Sequence, residues 1–123
     1  MSSDSHLKTN YQRGVDAETA CEEYLVASGA KILAKRFKTK FGEIDLIAAK
    51  ADLLLFIEVK RRKAAIFDDP ISKMQKKRIM NTALQYLAEN EKFSQFNMRF
   101  DCIFVDNNLA LQHIEDSWRI EEI

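Results

Sequence analysis

The sequence predicts an α/β domain in which two helices pack on one mixed five-stranded sheet, in the order α-β-β-β-α-β-β. Apolar residues recur at helical spacing in two segments, at about 13–28 and 70–91. Short runs rich in Val, Ile, Leu and Phe, bounded by turn residues, fill the intervals between and after them. The second helical segment is long enough to cross the sheet, so the fourth strand can lie parallel to the third through a right-handed crossover.

The composition is that of one packed domain. The chain has 123 residues, of which 46% are apolar and one is proline, and such a chain is neither disordered nor membrane-spanning. Residues 1–12 are predicted to be a flexible N-terminal tail and residues 13–123 a single domain. The tail lacks the apolar stretch of a signal peptide. We therefore expect a cytoplasmic protein with no membrane partner.

The first half of the domain is predicted as a helix followed by an antiparallel meander. The helix covers Arg13–Ser28, and Gly29 stands where a C-terminal cap belongs. Its apolar stripe consists of Ala17, Ala20, Cys21, Tyr24 and Leu25. Three strands follow at 30–38, 43–49 and 53–61, joined by short turns. The third of these strands is apolar enough to lie in the middle of a sheet.

The second half begins with a helix that has Asp69 as its N-cap and Pro70 in its first turn, and that runs to about Glu91. Its buried stripe is predicted to be Ile79, Met80, Ala83, Leu84 and Leu87. Strands are expected at 98–105 and 109–114. Trp118 is expected in a last helical turn of the acidic tail.

Three charged residues interrupt the two central apolar strands: Asp45, Glu58 and Lys60. Side chains alternate between the faces of a strand and paired strands lie about 5 Å apart, so these three can converge on one face. Burying unpaired charges costs several kcal/mol, so such groups pair with one another or bind a metal. A salt bridge at the sheet end and a site for a divalent cation both remain open at this point.

The two possible zinc-binding residue types give no site. Cys21 and Cys102 are far apart and fit no ligand spacing, so both are expected to be buried free thiols. His113 has no zinc-like partner in the sequence and is expected to be structural or solvent-facing. Asp101 is expected to form a structural ion pair with Arg99.

The segments Gly42–Ala48, with sequence GEIDLIA, and Phe56–Arg62, with sequence FIEVKRR, resemble the YraN-like family of uncharacterised bacterial proteins. The core of that family resembles the restriction endonuclease-like superfamily, whose signature is Asp, a spacer, and then Glu or Asp, any residue, and Lys. The resemblance extends over about residues 14–118. Further matching positions are Gly14, Glu18, Tyr24, Leu25, Ala83, Tyr86, Leu87, Arg99, Phe100 and Asp101.

The resemblance implies a restriction endonuclease-like core and a metal-dependent nuclease that hydrolyses phosphodiester bonds in DNA. Asp45 and Glu58 would hold Mg²⁺ (or Mn²⁺), and the carbonyl of Val59 would complete the site. Lys60 would be the catalytic lysine and Glu18 a further catalytic acid. Small nucleases of this superfamily often dimerise, which makes a homodimer possible here.

Basic residues near the candidate strands suggest a surface that contacts phosphates. Residues 1–80 hold 16 Lys and Arg against 11 Asp and Glu, whereas residues 81–123 hold 3 against 8. The predicted nucleic-acid contacts are Arg62, Lys63, Lys73, Gln75 and Lys76. Such contacts would grip the backbone without reading sequence. A solvated charged surface is the alternative interpretation.

The chain departs from the family pattern at two positions. Ala17 replaces a glycine that often precedes the helix glutamate, and Gln75 replaces a lysine near the start of the second helix. Two other functions therefore stay open: a catalytically inactive nucleic-acid-binding module of nuclease descent, and an interaction protein in which the acid–lysine cluster is a structural salt bridge.

Overall fold

The computed structural model describes residues 8–65 and 69–123. Its elements are α1 (Asn10–Ala27), β1 (Lys31–Thr39), β2 (Gly42–Lys50), β3 (Leu53–Lys60), α2 (Lys73–Glu89), β4 (Asn97–Val105) and β5 (Leu111–Trp118), with single 3₁₀ turns at Glu91–Phe93 and Ile120–Glu122. The predicted order α-β-β-β-α-β-β is confirmed. The first seven residues of the predicted tail lie outside the described part of the chain.

The five strands form one sheet in the order β1-β2-β3-β4-β5. β3 and β4 are parallel, and every other neighbouring pair is antiparallel. The parallel pair is joined through α2, which is the crossover that the sequence predicted. The mixed sheet is therefore confirmed, with the meander β1-β2-β3 on one side and the β4-β5 hairpin on the other.

The first helix begins earlier than predicted, at Asn10, so residues 10–12 belong to the helix and not to a tail. The reason is a capping box that the sequence analysis did not identify. The Thr9 hydroxyl accepts a hydrogen bond from the Gln12 N–H at 3.1 Å, and the Gln12 side chain accepts one from the Thr9 N–H at 3.0 Å. These two bonds satisfy backbone donors that would otherwise have no partner in the first turn.

The second helix begins later than predicted, because Ser72 and not Asp69 is its N-cap. The Ser72 hydroxyl accepts from the Gln75 N–H at 3.1 Å. Asp69 instead accepts from the Ile71 N–H at 3.2 Å and from the Lys76 ammonium at 2.7 Å. The Asp69 carboxylate therefore shapes the loop before α2 and holds the first turn of the helix from outside.

The last strand extends to Trp118, which corrects the prediction of a strand ending at 114 and a helical Trp118. The β4–β5 register shifts between Phe100 and Cys102, and Asp116 adopts a φ of 52° on the other strand. This irregularity lets the chain continue in the sheet. The indole of Trp118 is 1% exposed and stacks on Phe100 with the ring centroids 4.1 Å apart.

Both faces of the sheet are covered. The α2-side core includes Ile44, Ile47, Leu54, Phe56, Ile79, Ala83, Tyr86, Phe100 and Trp118. The α1-side core includes Ala17, Cys21, Leu25, Leu46, Ala48, Leu55, Ile57, Ile103 and Val105. Five successive residues of β3, from 54 to 58, are buried because a helix covers each face of that strand. This double cover explains why β3 reads as a continuous apolar run.

The predicted helix stripes are correct in part. Ile79 and Ala83 are buried, but Leu84 is 47% exposed, and Thr82 and Tyr86 occupy the buried face in its place. Tyr24 is 37% exposed. Both cysteines are buried and free, as predicted. None of the described helices has the length and apolar character needed to cross a membrane.

Candidate active site

The candidate site lies where β2 and β3 separate. Their register runs from Lys50 opposite Leu53 to Leu46 opposite Ile57 and stops there. Beyond that point a side chain replaces the backbone as hydrogen-bond acceptor. The Val59 N–H donates to Asp45 Oδ2 at 2.8 Å. The Asp45 carboxylate is thereby fixed beside the end of β3.

The strict alternation of side chains between the two faces does not hold along β2. Ile44 and Ile47 both lie in the α2-side core, whereas Leu46 lies in the α1-side core. The pairs Lys35–Leu46 and Phe37–Ile44 bracket this break in the neighbouring strand, where Arg36 has a φ of 50°. Both β1 and β2 are therefore irregular next to Asp45, as is common for strands beside functional sites.

Glu58 is the most unusual residue of this region. Its side chain is buried, with 7% exposure, and its Oε2 accepts a long hydrogen bond of 3.5 Å from Gln75 Nε2. Among the described side chains, Glu58 Oε1 is a buried polar atom with no hydrogen-bond partner. Burial and, second, the charge of Asp45 raise the pKa of Glu58 from 4.5 to about 8.

Asp45 is perturbed in the same direction. Burial raises its pKa, the hydrogen bond from Val59 opposes that rise, and the charges of Glu18 and Glu43 add to it. A hydrogen bond between the two carboxyl groups lowers the pKa of Asp45 and raises that of Glu58, so half-buried Asp45 and buried Glu58 are close enough to share a proton. Such a pair fits a hard divalent cation, which supplies the missing positive charge and prefers oxygen ligands. Within the described residues, no cluster of three or more His, Cys, Asp and Glu side chains is arranged to hold a metal.

Glu18, the predicted further acid, lies on α1 close enough for its charge to act on Asp45. Its two carboxylate oxygens also share the single N–H of Arg36 Nε, at 3.0 and 3.2 Å. That ion pair holds the carboxylate at the edge of the site. The side chain of Glu18 is 20% exposed.

Lys60, two residues after Glu58 on β3, is half-buried, and its charge counteracts the rise in the pKa of Glu58. Its ammonium has no hydrogen bond or ion pair with any residue of the described chain. It therefore adds a positive charge next to the two acids without forming an ion pair with either of them. A structural salt bridge with Asp45 or Glu58 is not formed.

The predicted nucleic-acid contacts fall into two groups. Arg62, Lys63 and Lys73 are exposed beyond the end of β3 and at the start of α2, and the Arg62 guanidinium lies 5.2 Å from the centroid of the Phe104 ring. Lys76 is different, since it is 6% exposed and pairs with Asp69. Gln75 is turned toward Glu58 and thus belongs to the candidate active site as well as to its rim.

Sequence reasoning missed a buried polar network centred on Asp101. Arg99 donates two bonds to this carboxylate at 2.9 Å, and His113 Nε2 and the Asp116 N–H approach it at 2.7 and 2.9 Å. Burial raises the pKa of Asp101, but the bonds from His113 and Arg99 outweigh it and hold the pKa below its usual range. The Arg99–Asp101 ion pair was predicted; its extension by His113 was not.

The same network explains the exposed position of Tyr24. Its hydroxyl lies 2.8 Å from His113 Nδ1, and the two rings meet edge to face with centroids 5.5 Å apart. The helix α1 is thereby tied to β5 through Tyr24 and His113. The helical stripe was therefore right to include Tyr24 on the sheet-facing side, but a hydrogen bond rather than burial holds it there.

A family model matches residues 17–105, which include α1 from Ala17 onwards and the whole candidate site. The chain belongs to the uncharacterised protein family UPF0102. A UPF0102 protein of Rhodopseudomonas palustris strain HaA2 is 40% identical over 107 residues, covering 85% of this chain and 82% of the relative. One of Bradyrhizobium sp. strain BTAi1 is 39% identical, with 85% and 77% covered. One of Azorhizobium caulinodans is 36% identical over 112 residues, with 90% and 86% covered.

Proposed function

We propose that this protein is a metal-dependent nuclease that hydrolyses phosphodiester bonds in DNA. The observation that carries the proposal is the acid pair of half-buried Asp45 and buried Glu58, in which Glu58 Oε1 has no hydrogen-bond partner among the described residues. A buried carboxylate oxygen without a partner is costly in a finished structure, but it is a ready ligand for a cation. The resemblance of GEIDLIA and FIEVKRR to the Asp…Glu-x-Lys signature points to the same chemistry.

Asp45 and Glu58 would hold Mg²⁺ or Mn²⁺, together with the carbonyl of Val59. In an extended strand the N–H and C=O of one residue face the same neighbouring strand. Since the Val59 N–H meets Asp45, its carbonyl faces the same gap between β2 and β3. When bound, the cation would polarise a phosphate oxygen and lower the pKa of a water molecule.

The remaining residues of the site would position the acids and neutralise the charge that develops on the phosphate. Lys60 would steady the negative charge that develops on the phosphate, a role that suits an ammonium without an ion-pair partner in the described chain. Gln75 would hold the Glu58 carboxylate in place through its amide. Glu18, whose position is fixed by Arg36, would serve as the further acid next to Asp45.

The substrate would be held by cations at the exposed rim. Arg62, Lys63 and Lys73 are exposed and would contact backbone phosphates without sequence preference. Lys76 would support the rim through Asp69, since its own ammonium is buried. A homodimer would allow the enzyme to reach both strands of a duplex.

The experiment is a cleavage assay on plasmid, single-stranded, branched and RNA substrates with Mg²⁺ or Mn²⁺. Asp45→Ala and Lys60→Ala should abolish cleavage while the circular dichroism spectrum stays native. Lys50→Ala is the matched control for Lys60, because Lys50 is an exposed lysine at the far end of the sheet. If none of these substrates is cleaved in a metal-dependent way, the proposed enzymatic function is refuted.

The alternative is an inactive nucleic-acid-binding module of nuclease descent. The observation that favours it is Gln75, which replaces a lysine typical of the family and leaves one fewer cation beside Glu58. Binding of DNA that is weakened by Arg62→Gln, together with no cleavage and no metal affinity by calorimetry, would support this function instead.

A further inference from the structure

A pocket of about 550 Å³ opens at the carboxyl ends of the parallel strands β3 and β4, on the side of the sheet that α1 covers. Its lining includes Lys8, Asn10, Arg13, Asp16, Arg61 and Asp106. The volume is in the range of small-molecule sites, and the carboxyl edge of parallel strands is where α/β proteins often bind ligands. None of the residues proposed above as active-site groups lines it.

The residues that line the pocket carry a net positive charge, from three basic and two acidic side chains. Its two acids are already engaged: Asp16 pairs with Lys8, and Asp106 Oδ1 accepts the Asn108 and Ala110 N–H groups at 2.8 and 3.0 Å. The Arg61 guanidinium uses one N–H, from Nη1, for the Asn10 carbonyl at 2.9 Å. Its other donors are available to a ligand.

Gly14 lies next to that guanidinium. A Cβ at Gly14 would make ordinary van der Waals contact with Arg61 Cζ and Nη1, each 3.9 Å away, so a longer side chain there would reach the guanidinium. Arg13, one residue before, brings a second guanidinium to the same pocket. Two arginines in one concave site match the geometry of a phosphate group, which accepts paired N–H bonds from the guanidinium fork.

We propose that this pocket binds a terminal phosphate group through Arg13 and Arg61. The chemistry is that of a phosphate monoester, and the group has two possible carriers: the 5′ end of a nucleic-acid strand or a free mononucleotide. The first carrier rests on the proposed nuclease function, because Arg61 directly follows Lys60, the last residue of β3, with their Cα atoms about 3.8 Å apart. Arg61 lies in the bend after β3 and lines the pocket, so it would hold the phosphorylated end of the nucleic acid while Lys60 acts in the proposed active site.

The test is calorimetric titration of the whole chain in EDTA, so that metal-dependent chemistry plays no part. The probes are inorganic phosphate, a nucleoside monophosphate, and one oligonucleotide with either a 5′-phosphate or a 5′-hydroxyl. We expect the 5′-phosphate to bind at least tenfold more tightly than the 5′-hydroxyl. Arg13→Gln and Arg61→Gln should each lose about tenfold or more of that affinity.

Lys31→Gln is the matched control, since it removes one exposed positive charge at the start of β1 and should leave the affinity unchanged. Arg61→Lys keeps the charge but loses the fork, and should fall between wild type and Arg61→Gln. Thermal unfolding of each variant shows whether the fold is retained. A nucleoside monophosphate that binds as tightly as the 5′-phosphorylated strand would identify the free nucleotide as the carrier.

Equal affinity for the two oligonucleotides, or an equal loss in Lys31→Gln and Arg61→Gln, would overturn the proposal. The variant Asp45→Asn separates a failure of the phosphate-pocket proposal from a failure of the proposed nuclease function. The variant should keep full affinity for the 5′-phosphate, because Asp45 does not line the pocket. If wild type binds the 5′-phosphate but cleaves no substrate, the proposed nuclease function is refuted and the phosphate-binding pocket is not.

Discussion

Replacement of Glu58 by Gln should stabilise the metal-free protein at high pH. The substitution keeps the shape and the contact with Gln75 but removes a carboxyl group whose pKa is raised from 4.5 to about 8 by burial and by Asp45. Below pH 4.5 Glu58 is protonated in the folded and the unfolded chain, so it has no effect. Between the two pKa values the unfolded chain releases the proton and the folded protein keeps it, so the free energy of unfolding falls as pH rises.

The magnitude follows from the difference between the two pKa values. One pKa unit corresponds to about 1.4 kcal/mol, so a rise from 4.5 to about 8 sets an upper limit of about 5 kcal/mol. The advantage of Glu58→Gln over wild type should thus be near zero at pH 4.5 and reach a few kcal/mol at pH 8. Above pH 8 it should stay constant, because Glu58 is then ionised in both states.

The assay is urea unfolding, followed by circular dichroism in EDTA at half-unit intervals from pH 4.5 to 9. Glu23→Gln is the matched control, because Glu23 is an exposed glutamate on α1, and its stability should track wild type at every pH. A constant difference between Glu58→Gln and wild type across this range would show that Glu58 titrates normally. That result would remove the physical reason to expect a cation beside it.

Three further predictions concern the site and the core. Addition of 1 mM Mn²⁺ should raise the melting temperature of wild type more at pH 8 than at pH 6, since the ligands must be deprotonated, and should not raise that of Asp45→Asn; a lower stability of Asp45→Asn with unchanged metal affinity would indicate a structural role. Asp101→Asn should cost about 3 kcal/mol in urea unfolding at pH 7, because Arg99 loses the partner of a buried ion pair. The lowered pKa of Asp101 means that this difference should shrink as pH falls below 3.8, and a pH-independent loss would contradict it. Trp118→Ala should cost about 3–5 kcal/mol by removing the ring that stacks on Phe100, whereas Trp118→Phe should retain most of the stability; equal losses would show that the stack is unimportant.

Much of this fold could be predicted because its strands and helices differ in period. Helical spacing and short apolar runs gave the element order and the parallel β3–β4 pair. The ends of the helices were harder to predict, since they depend on single hydrogen bonds. Thr9 with Gln12 moved the start of α1, and Ser72 in place of Asp69 moved the start of α2.

The candidate site shows the same limit at the level of side chains. Alternation suggested that Asp45 and Glu58 are neighbours, but not that β2 and β3 separate there or that Asp45 accepts the Val59 N–H. The burial of Lys76 was equally invisible, because a lysine in a basic run looks exposed until its partner Asp69 is placed in space. Contacts between residues distant in sequence decide both cases.

The central claim is that Asp45 and Glu58 hold a divalent cation. The most direct measurement is anomalous diffraction at the manganese edge from a crystal soaked with Mn²⁺ at pH 8. The claim predicts one peak within about 2.2 Å of a carboxylate oxygen of each residue, and no such peak in Asp45→Asn. Wild-type crystals that show no peak between Asp45 and Glu58 after the same Mn²⁺ soak would contradict it.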